Sequence, residues 1–414
     1  MAQPQAFKMT GYQIFLIAML AFLQFTIILD FMVISPLSAI LLDELNLSTS
    51  QFGLVVSGYA WSAGISGFIA AGFVDKFDRK SALLFFYIGF IGGTFLCAMA
   101  DTYITLLIAR IVTGIFGGVI GSVIYAIVAD IFPYQVRGRV MGFLQMAFAG
   151  AQVLGLPVGV YLATHYGWQS PFFMIVGICL VVLIFIVTYL KPVNTHLEGR
   201  ADTNSFDHLI ATVSNKTYLK GFAATILLGV GGFMLMPFGS AFSVNNLGLR
   251  VEDLSLLYLI TGICAMGGSP LVGLLSDKIG KYAVFCICSV MLIITVSIYC
   301  NLGVTPFWEL VIFSIIMFIS FSGRMVCSSA LLSAVPEPKD RGAFMSINSS
   351  VSMMSGGIAS LIAGMIVYQN NNTGPIFNYN VLGYVVSGAT VITIGMMWVI
   401  NRMVHEKLNL QATT

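Results

Sequence analysis

Charge is scarce in this chain. Asp, Glu, Lys and Arg together make up 9% of its 414 residues, against about 25% in soluble globular domains. That shortage excludes an ordinary water-soluble fold. Metal-ligand spacing is also missing. The seven cysteines (Cys97, Cys179, Cys264, Cys286, Cys288, Cys300 and Cys327) all lie in apolar runs or at their edges. They read as small core residues rather than metal ligands or disulfides. Nothing resembles a phosphate-binding glycine loop, a nucleotide fold or a nucleophile with its base. An enzyme, a cofactor, a metal and a nucleic-acid partner are therefore not expected. The stretch Met1 to Gly11 has no signal-peptide cleavage pattern, and the apolar run after it is too long for a signal core.

Hydrophobic residues fill the space that charge leaves. They make up 58% of the chain, and the mean hydropathy is +0.94. A helix needs about 20 apolar residues to cross a bilayer. Twelve runs meet that length, at 12–42, 51–74, 81–100, 103–132, 138–165, 169–190, 217–245, 253–275, 282–301, 305–335, 341–369 and 379–402. The expectation is an all-α integral membrane protein of twelve transmembrane helices embedded in a lipid bilayer. Several runs are long enough to tilt or kink. Pro36, Pro157, Pro237 and Pro270 fall within runs, where each removes a backbone hydrogen bond and should bend its helix.

The net charge of +2 says little, because the placement of the charges carries the information. Of the 19 Lys and Arg residues, Arg110 and Arg324 lie inside apolar runs and Arg250 falls in a loop of one side; all the rest fall on the other side. The positive-inside rule then puts both termini in the cytoplasm, in a plasma membrane or, for a bacterium, the inner membrane. The longest hydrophilic stretch, Lys191 to Lys220, reads as a linker. It divides the chain into 1–190, a linker of 191–216, and 217–414. The two halves repeat. Ala71-Gly72-Phe73-Val74-Asp75-Lys76-Phe77-Asp78-Arg79-Lys80 is answered by Gly273-Leu274-Leu275-Ser276-Asp277-Lys278-Ile279-Gly280-Lys281, with Asp75 and Asp277 202 residues apart. Arg137-Gly138-Arg139 is answered by Arg341-Gly342-Ala343, 204 residues on. Two pseudo-symmetric six-helix halves imply a site at the midplane between them.

Two of these segments, with a third in the fourth run, resemble the major facilitator superfamily, and more narrowly its twelve-span drug:proton antiporter branch, which exports sugars, nucleosides and drugs. Asp75, Arg79 and Lys80, with Asp277 and Lys281 in the second copy, are similar to the family's loop signature, although Ala71 and Asp78 replace its glycines. The resemblance implies that these five residues work a cytoplasmic gate; a tight orienting turn is the simpler alternative. Arg110 and Gly114 resemble the family's R-x-x-x-G signature, and Asp30 matches its first-helix aspartate. Gly150, Gly155, Pro157 and Gly159 resemble the antiporter signature of the fifth helix, with the proline one place late. Their physical content is a small-residue face suited to close packing at the interface of the halves, with a bend beside it.

The chemistry centres on Asp30, in Leu29-Asp30-Phe31-Met32 within the first run. An aspartate at the centre of a membrane helix costs about 2.5–3.5 kcal/mol on insertion scales, and a retained one has a partner or a task. Arg110 is roughly 10 Å deep from the outer boundary and Asp30 roughly 18 Å, by helical rise, so their side chains can meet. Burial and a neighbouring guanidinium act on a carboxyl's proton in opposite senses, so a motion that shifts Arg110 or admits water changes Asp30's proton affinity. The pair is thus a proton-coupling site or, alternatively, a static clamp. Arg324 has no acid at its depth in the second half. It is expected to contact substrate or, alternatively, to cap backbone carbonyls. Phe233, Met236 and Phe238 suit an adaptable apolar pocket, with Gln152 and Asn348, and also Gln24, Tyr59, Gln145 and Asn245, as polar candidates. The reading that results is proton-coupled efflux of a small organic molecule by a monomer with alternating access. Uptake or facilitated diffusion of a polar metabolite is the alternative, and a non-transporting receptor or scaffold is the alternative from another class.

Overall fold

The structure is a computed structural model that describes residues 10–70, 73–132, 134–194, 205–337, 340–371 and 373–413. The side chains of Asp75 and Gln145 lie outside the described residues, and so do the expectations placed on them. Among the described residues the only β pairing is one bridge between Tyr368 and Phe377. Everything else of regular form is helix, as hydrocarbon demands when a segment must satisfy its own backbone polar groups. In chain order the first half has α1 Gly11–Val33, α2 Ser38–Glu44, α3 Thr49–Ala70, α4 Arg79–Ala98, α5 Tyr103–Ile131, α6 Tyr134–Gly150, α7 Leu156–Tyr166 and α8 Ser170–Tyr189. The second has α9 Ser205–Ser214, α10 Lys216–Phe233, α11 Gly239–Asn245, α12 Asp253–Ile279, α13 Lys281–Tyr299, α14 Phe307–Leu332, α15 Arg341–Ile366 and α16 Tyr379–Thr413. Twelve segments are long and apolar enough to span, from Gly11–Val33 to Tyr379–Lys407.

Local chemistry sets the helix starts. Thr10 and Gln13 form a capping box at α1, Thr102 and Thr105 form one at α5, and Asp78 accepts from the Ser81 amide at α4. Each supplies a partner to amides that a helix end leaves bare. The prolines act unequally. The helix breaks at Ile34–Leu37 beside Pro36, and a short 3₁₀ turn, Met236–Phe238, surrounds Pro237. Before Pro157 lies a π-helical stretch, Ala151–Gly155, in which the Leu156 amide donates to the Ala151 carbonyl. Pro270, by contrast, sits inside an uninterrupted α12. The breaks at Pro36 and Pro237 stand in matching places in the two halves.

The halves meet most closely along α3 and α15. Thr49 Oγ1 donates to the Val367 carbonyl at 2.7 Å and Ser50 Oγ to that of Gly364 at 3.0 Å. A Cβ on Gly53 would lie 2.9 Å from the Ser360 carbonyl, so the small residue is what lets the backbones approach. The short helices after the two breaks, α2 and α11, also pack on each other, and the Ala241 amide donates to Ser38 Oγ at 3.1 Å. At the face remote from the basic loops α12 rests on α7 and the π-helical stretch, and Ser255 Oγ donates to the Pro157 carbonyl at 2.8 Å. Gly142 on α6 and Gly267 and Gly273 on α12 have open space where a Cβ would sit. The contact of α3 with α15 continues towards the basic loops, where a Cβ on Gly64 would meet the Ser350 carbonyl at 2.9 Å.

Candidate functional site

Asp30 and Arg110 are both wholly buried, at 0% exposure. Arg110 Nη1 donates to Asp30 Oδ2 at 2.9 Å and to the Asp30 carbonyl at 3.1 Å. Thr94 Oγ1 donates to the other carboxylate oxygen at 3.1 Å. Three helices thus converge on one carboxylate: α1 supplies it, α4 a hydroxyl and α5 the cation. The guanidinium carbon also lies 4.3 Å from the centre of the Tyr59 ring, on α3, in cation–π geometry.

Small residues make this convergence possible. A Cβ on Gly114 would come 2.5 Å from the Tyr59 carbonyl, and one on Gly118 would run into the Ala63 backbone. Without them α5 could not lie against α3, and Tyr59 would not cover Arg110. Gly93 plays the same part between α4 and α5, where its Cβ would meet Thr113 at 2.6–2.8 Å. The next residue, Thr94, is the one that reaches Asp30. The expected Asp30–Arg110 contact is present. Thr94 and the covering role of Tyr59 were not foreseen for this site, and the run of glycines on α5 facing Tyr59 was the available signal.

The pair does not stop at its own half. The Tyr59 ring is 5.4 Å from Phe31, and Phe31 is 6.0 Å from Phe233 on α10, centroid to centroid. Phe233 is packed where a Cβ on Gly356 would touch it, and its carbonyl accepts from Ser360 Oγ at 3.4 Å. An unbroken line of aromatic contacts therefore joins Arg110 to the residue before the break in the second half.

The other expected residues are dispersed. Gly155 and Gly159 pack against Leu29 and Val33, and Gly150 faces Phe25 at ordinary contact distance. These residues of α1 stand four apart, on one helix face. The helix-five glycines therefore hold α1 of their own half, not the opposing half as expected; periodicity marks a face but not its partner. Pro157 does reach across, through its carbonyl and Ser255. Gln152 is buried beside Gly262 of α12, whose Cβ would lie 2.9 Å from the Gln152 carbonyl. Asn348 accepts from Thr225 at 2.5 Å. Met236 is half-buried, whereas Phe238 is fully enclosed against Phe52, with rings 5.6 Å apart.

The gate residues are not gathered into one latch. Arg79 pairs with Asp130 of α5 at 2.9 Å, and Lys80 donates to the Val187 carbonyl at 3.0 Å, both inside the first half. Asp277 and Lys281 are exposed and form no ion pair among the described residues. Arg324 is 2% exposed, and Phe285, Gly231 and Thr390 beside it all belong to the second half. Its guanidinium lies 5.6 Å from the Phe285 ring and beside Gly231 and Thr390. It is thus turned into its own half, towards α10, α13 and α16.

The model of the Major Facilitator Superfamily matches residues 20–219 and 221–413. The uncharacterized MFS-type transporter YceJ of Bacillus subtilis (strain 168) is 24% identical over 367 residues, 88% of this chain and 92% of that protein. A probable sugar efflux transporter of Helicobacter acinonychis (strain Sheeba) is 24% identical over 288 residues, 69% of this chain and 71% of its own. The crystal structure of a D-xylose-proton symporter superposes with a TM-score of 0.71 at 19% identity, covering 92% of this chain and 97% of that one.

Proposed function

The chain belongs to the major facilitator superfamily, a multi-pass membrane transporter rather than an enzyme, and from that premise we propose that it exports a small organic molecule in exchange for protons. The observation that carries this reading is the Asp30–Arg110 pair, buried at 0% and 2.9 Å long, with its line of rings to Phe233. A proton arriving on Asp30 Oδ2 removes the carboxylate's charge. Arg110 then loses its counter-charge and keeps only the Asp30 carbonyl and the Tyr59 face. A shift of the guanidinium moves Tyr59 and Phe31, and through Phe233 it biases the break at Met234–Phe238. Coupling of this kind requires the proton and the solute to favour different arrangements of the halves. The basic face is the cytoplasmic one, by the distribution of Lys and Arg, with both termini there and the protein in the plasma membrane.

A polar solute such as a sugar or nucleoside fits the similarity to a sugar efflux relative. Gln152, Asn348, Phe233 and Met236 are the side chains proposed to meet it, and Asp75, Arg79, Lys80, Asp277 and Lys281 to close the cytoplasmic face. The monomer is the working unit. The complete burial of both charges favours one other reading, a static clamp between α1 and α5 in a facilitator. Proton release on adding sugars, nucleosides or lipophilic drugs to detergent-purified protein at neutral pH separates the two. Exchange predicts release in the wild type and none in Asp30→Asn that still binds the same compound. Binding without release in either protein would leave the clamp.

A further inference from the structure

The interior of the second half holds a positive charge that no carboxylate meets. Every acid from Glu252 to Glu406 stands at the end of a span or in a loop, while Arg324 is 2% exposed in the middle of α14. Arg324 lies over an aromatic ring with a threonine hydroxyl near it, and further hydroxyls stand one helical turn from these residues. Phe285 on α13 lies 5.6 Å below the guanidinium, and Ser289 is one turn further along the same face. Ser320 is one turn before Arg324 on α14. Thr390 Oγ1 of α16 and both Nη atoms lie within 3.5 Å of the point where a Cβ on Gly231 would sit. Ser387 is one turn from Thr390.

These groups share a second property. Among the described residues, the buried side-chain nitrogens and oxygens without a partner are Gln24 Oε1, two nitrogens of Arg110, and otherwise only Arg324 Nε and Nη2, Ser289 Oγ, Ser320 Oγ, Ser387 Oγ and Thr390 Oγ1. A guanidinium stays protonated at physiological pH. Buried without a counter-charge it is costly, and hydroxyls offer it only weak dipoles. Hydroxyls can, however, turn their O–H groups towards an anion. We infer that Arg324, with Ser289, Ser320 and Thr390, forms a binding site for a small monovalent inorganic anion of chloride's size. The guanidinium supplies the charge, the hydroxyls supply donors, and α10, α13, α14 and α16 enclose them. Occupied, the site neutralises the second half's interior as Asp30 neutralises the first. The inference depends neither on which solute is carried nor on proton coupling.

The test is thermal unfolding of the full chain, purified in detergent in a gluconate buffer and titrated with chloride, bromide, nitrate or acetate at constant ionic strength. The wild type is expected to gain a saturable rise in Tm with chloride and bromide, and Arg324→Met to lose it. The double variant Ser289→Ala/Ser320→Ala keeps the charge and guards against a variant that fails to fold. Its half-saturating chloride concentration is expected to rise about tenfold or more, as for two lost hydrogen bonds to an ion. A wild-type Tm indifferent to all four anions overturns the site. So does a chloride shift that persists in Arg324→Met. A response to acetate alone assigns the cluster to a carboxylate instead and overturns the inorganic occupant.

Discussion

Two arginines lie buried in the two halves, and their surroundings differ in kind. Arg110 has a carboxylate at 2.9 Å, a tyrosine face at 4.3 Å, and a place in a line of rings that crosses to the other half. Arg324 has a phenyl ring at 5.6 Å, a set of unpartnered hydroxyls, and Gly231 and Thr390 beside it, in its own half. A charge balanced by a titratable group within the chain can be unbalanced by a proton. A charge balanced from outside the chain responds instead to the ions around it. The same side chain, buried in both halves of a repeat, therefore serves two different chemistries according to what faces it.

Removing each guanidinium should have opposite consequences, and this is the largest effect expected. Arg110→Met leaves Asp30 at 0% exposure without its counter-charge, to be held ionised at a cost or neutralised by a proton, and breaking such a pair from one side costs about 3–5 kcal/mol. Arg324→Met in chloride-free buffer removes an unpaired charge and puts an apolar chain in its place, so stability should hold or rise. Thermal unfolding of both variants checks the pair; a loss of equal size in both would erase the contrast.

The glycines beside the two arginines sharpen it. Gly114→Ala drives a methyl to 2.5 Å from the Tyr59 carbonyl, an overpacking expected to cost about 1–3 kcal/mol. Gly231→Ala meets Arg324 and Thr390 only at 3.4–3.5 Å, ordinary contact distance, and should cost nothing and gain up to about 1 kcal/mol from helix propensity. The same unfolding measurement compares them. The smallest difference is between the rings. Tyr59→Leu should cost about 0.5–2 kcal/mol through the lost cation–π contact while Tyr59→Phe keeps most of it, and Phe285→Leu, at the longer distance, should cost less.

Much of this was readable beforehand, and the reasons are local. Apolar length marks the spans. Even the break at Pro36, inside a run read as 12–42, was signalled by the proline and divides it into Gly11–Val33 and Ser38–Glu44. Asp30 and Arg110 could be paired from their depths together with the resemblance of both to family signatures, since a buried charge has few partners to choose from. The surroundings of Arg324 could not be read. Ser289, Ser320 and Thr390 come from three helices, and serines in membrane helices look alike until those helices are placed. The partner of Gly155 was hidden for the same reason. At the start of α4, Arg79 and Lys80 meet Asp130 and the Val187 carbonyl of their own half, partners that sequence spacing does not single out.

The central claim is that Asp30 couples solute movement to protons. Purified protein in liposomes with an acidic lumen should accumulate a radiolabelled sugar or nucleoside against its gradient, and should also exchange labelled for unlabelled solute when no gradient is present. Asp30→Asn is predicted to keep the exchange and lose the accumulation. Accumulation at the wild-type level in Asp30→Asn would contradict the account and leave the Asp30–Arg110 pair as a structural clamp.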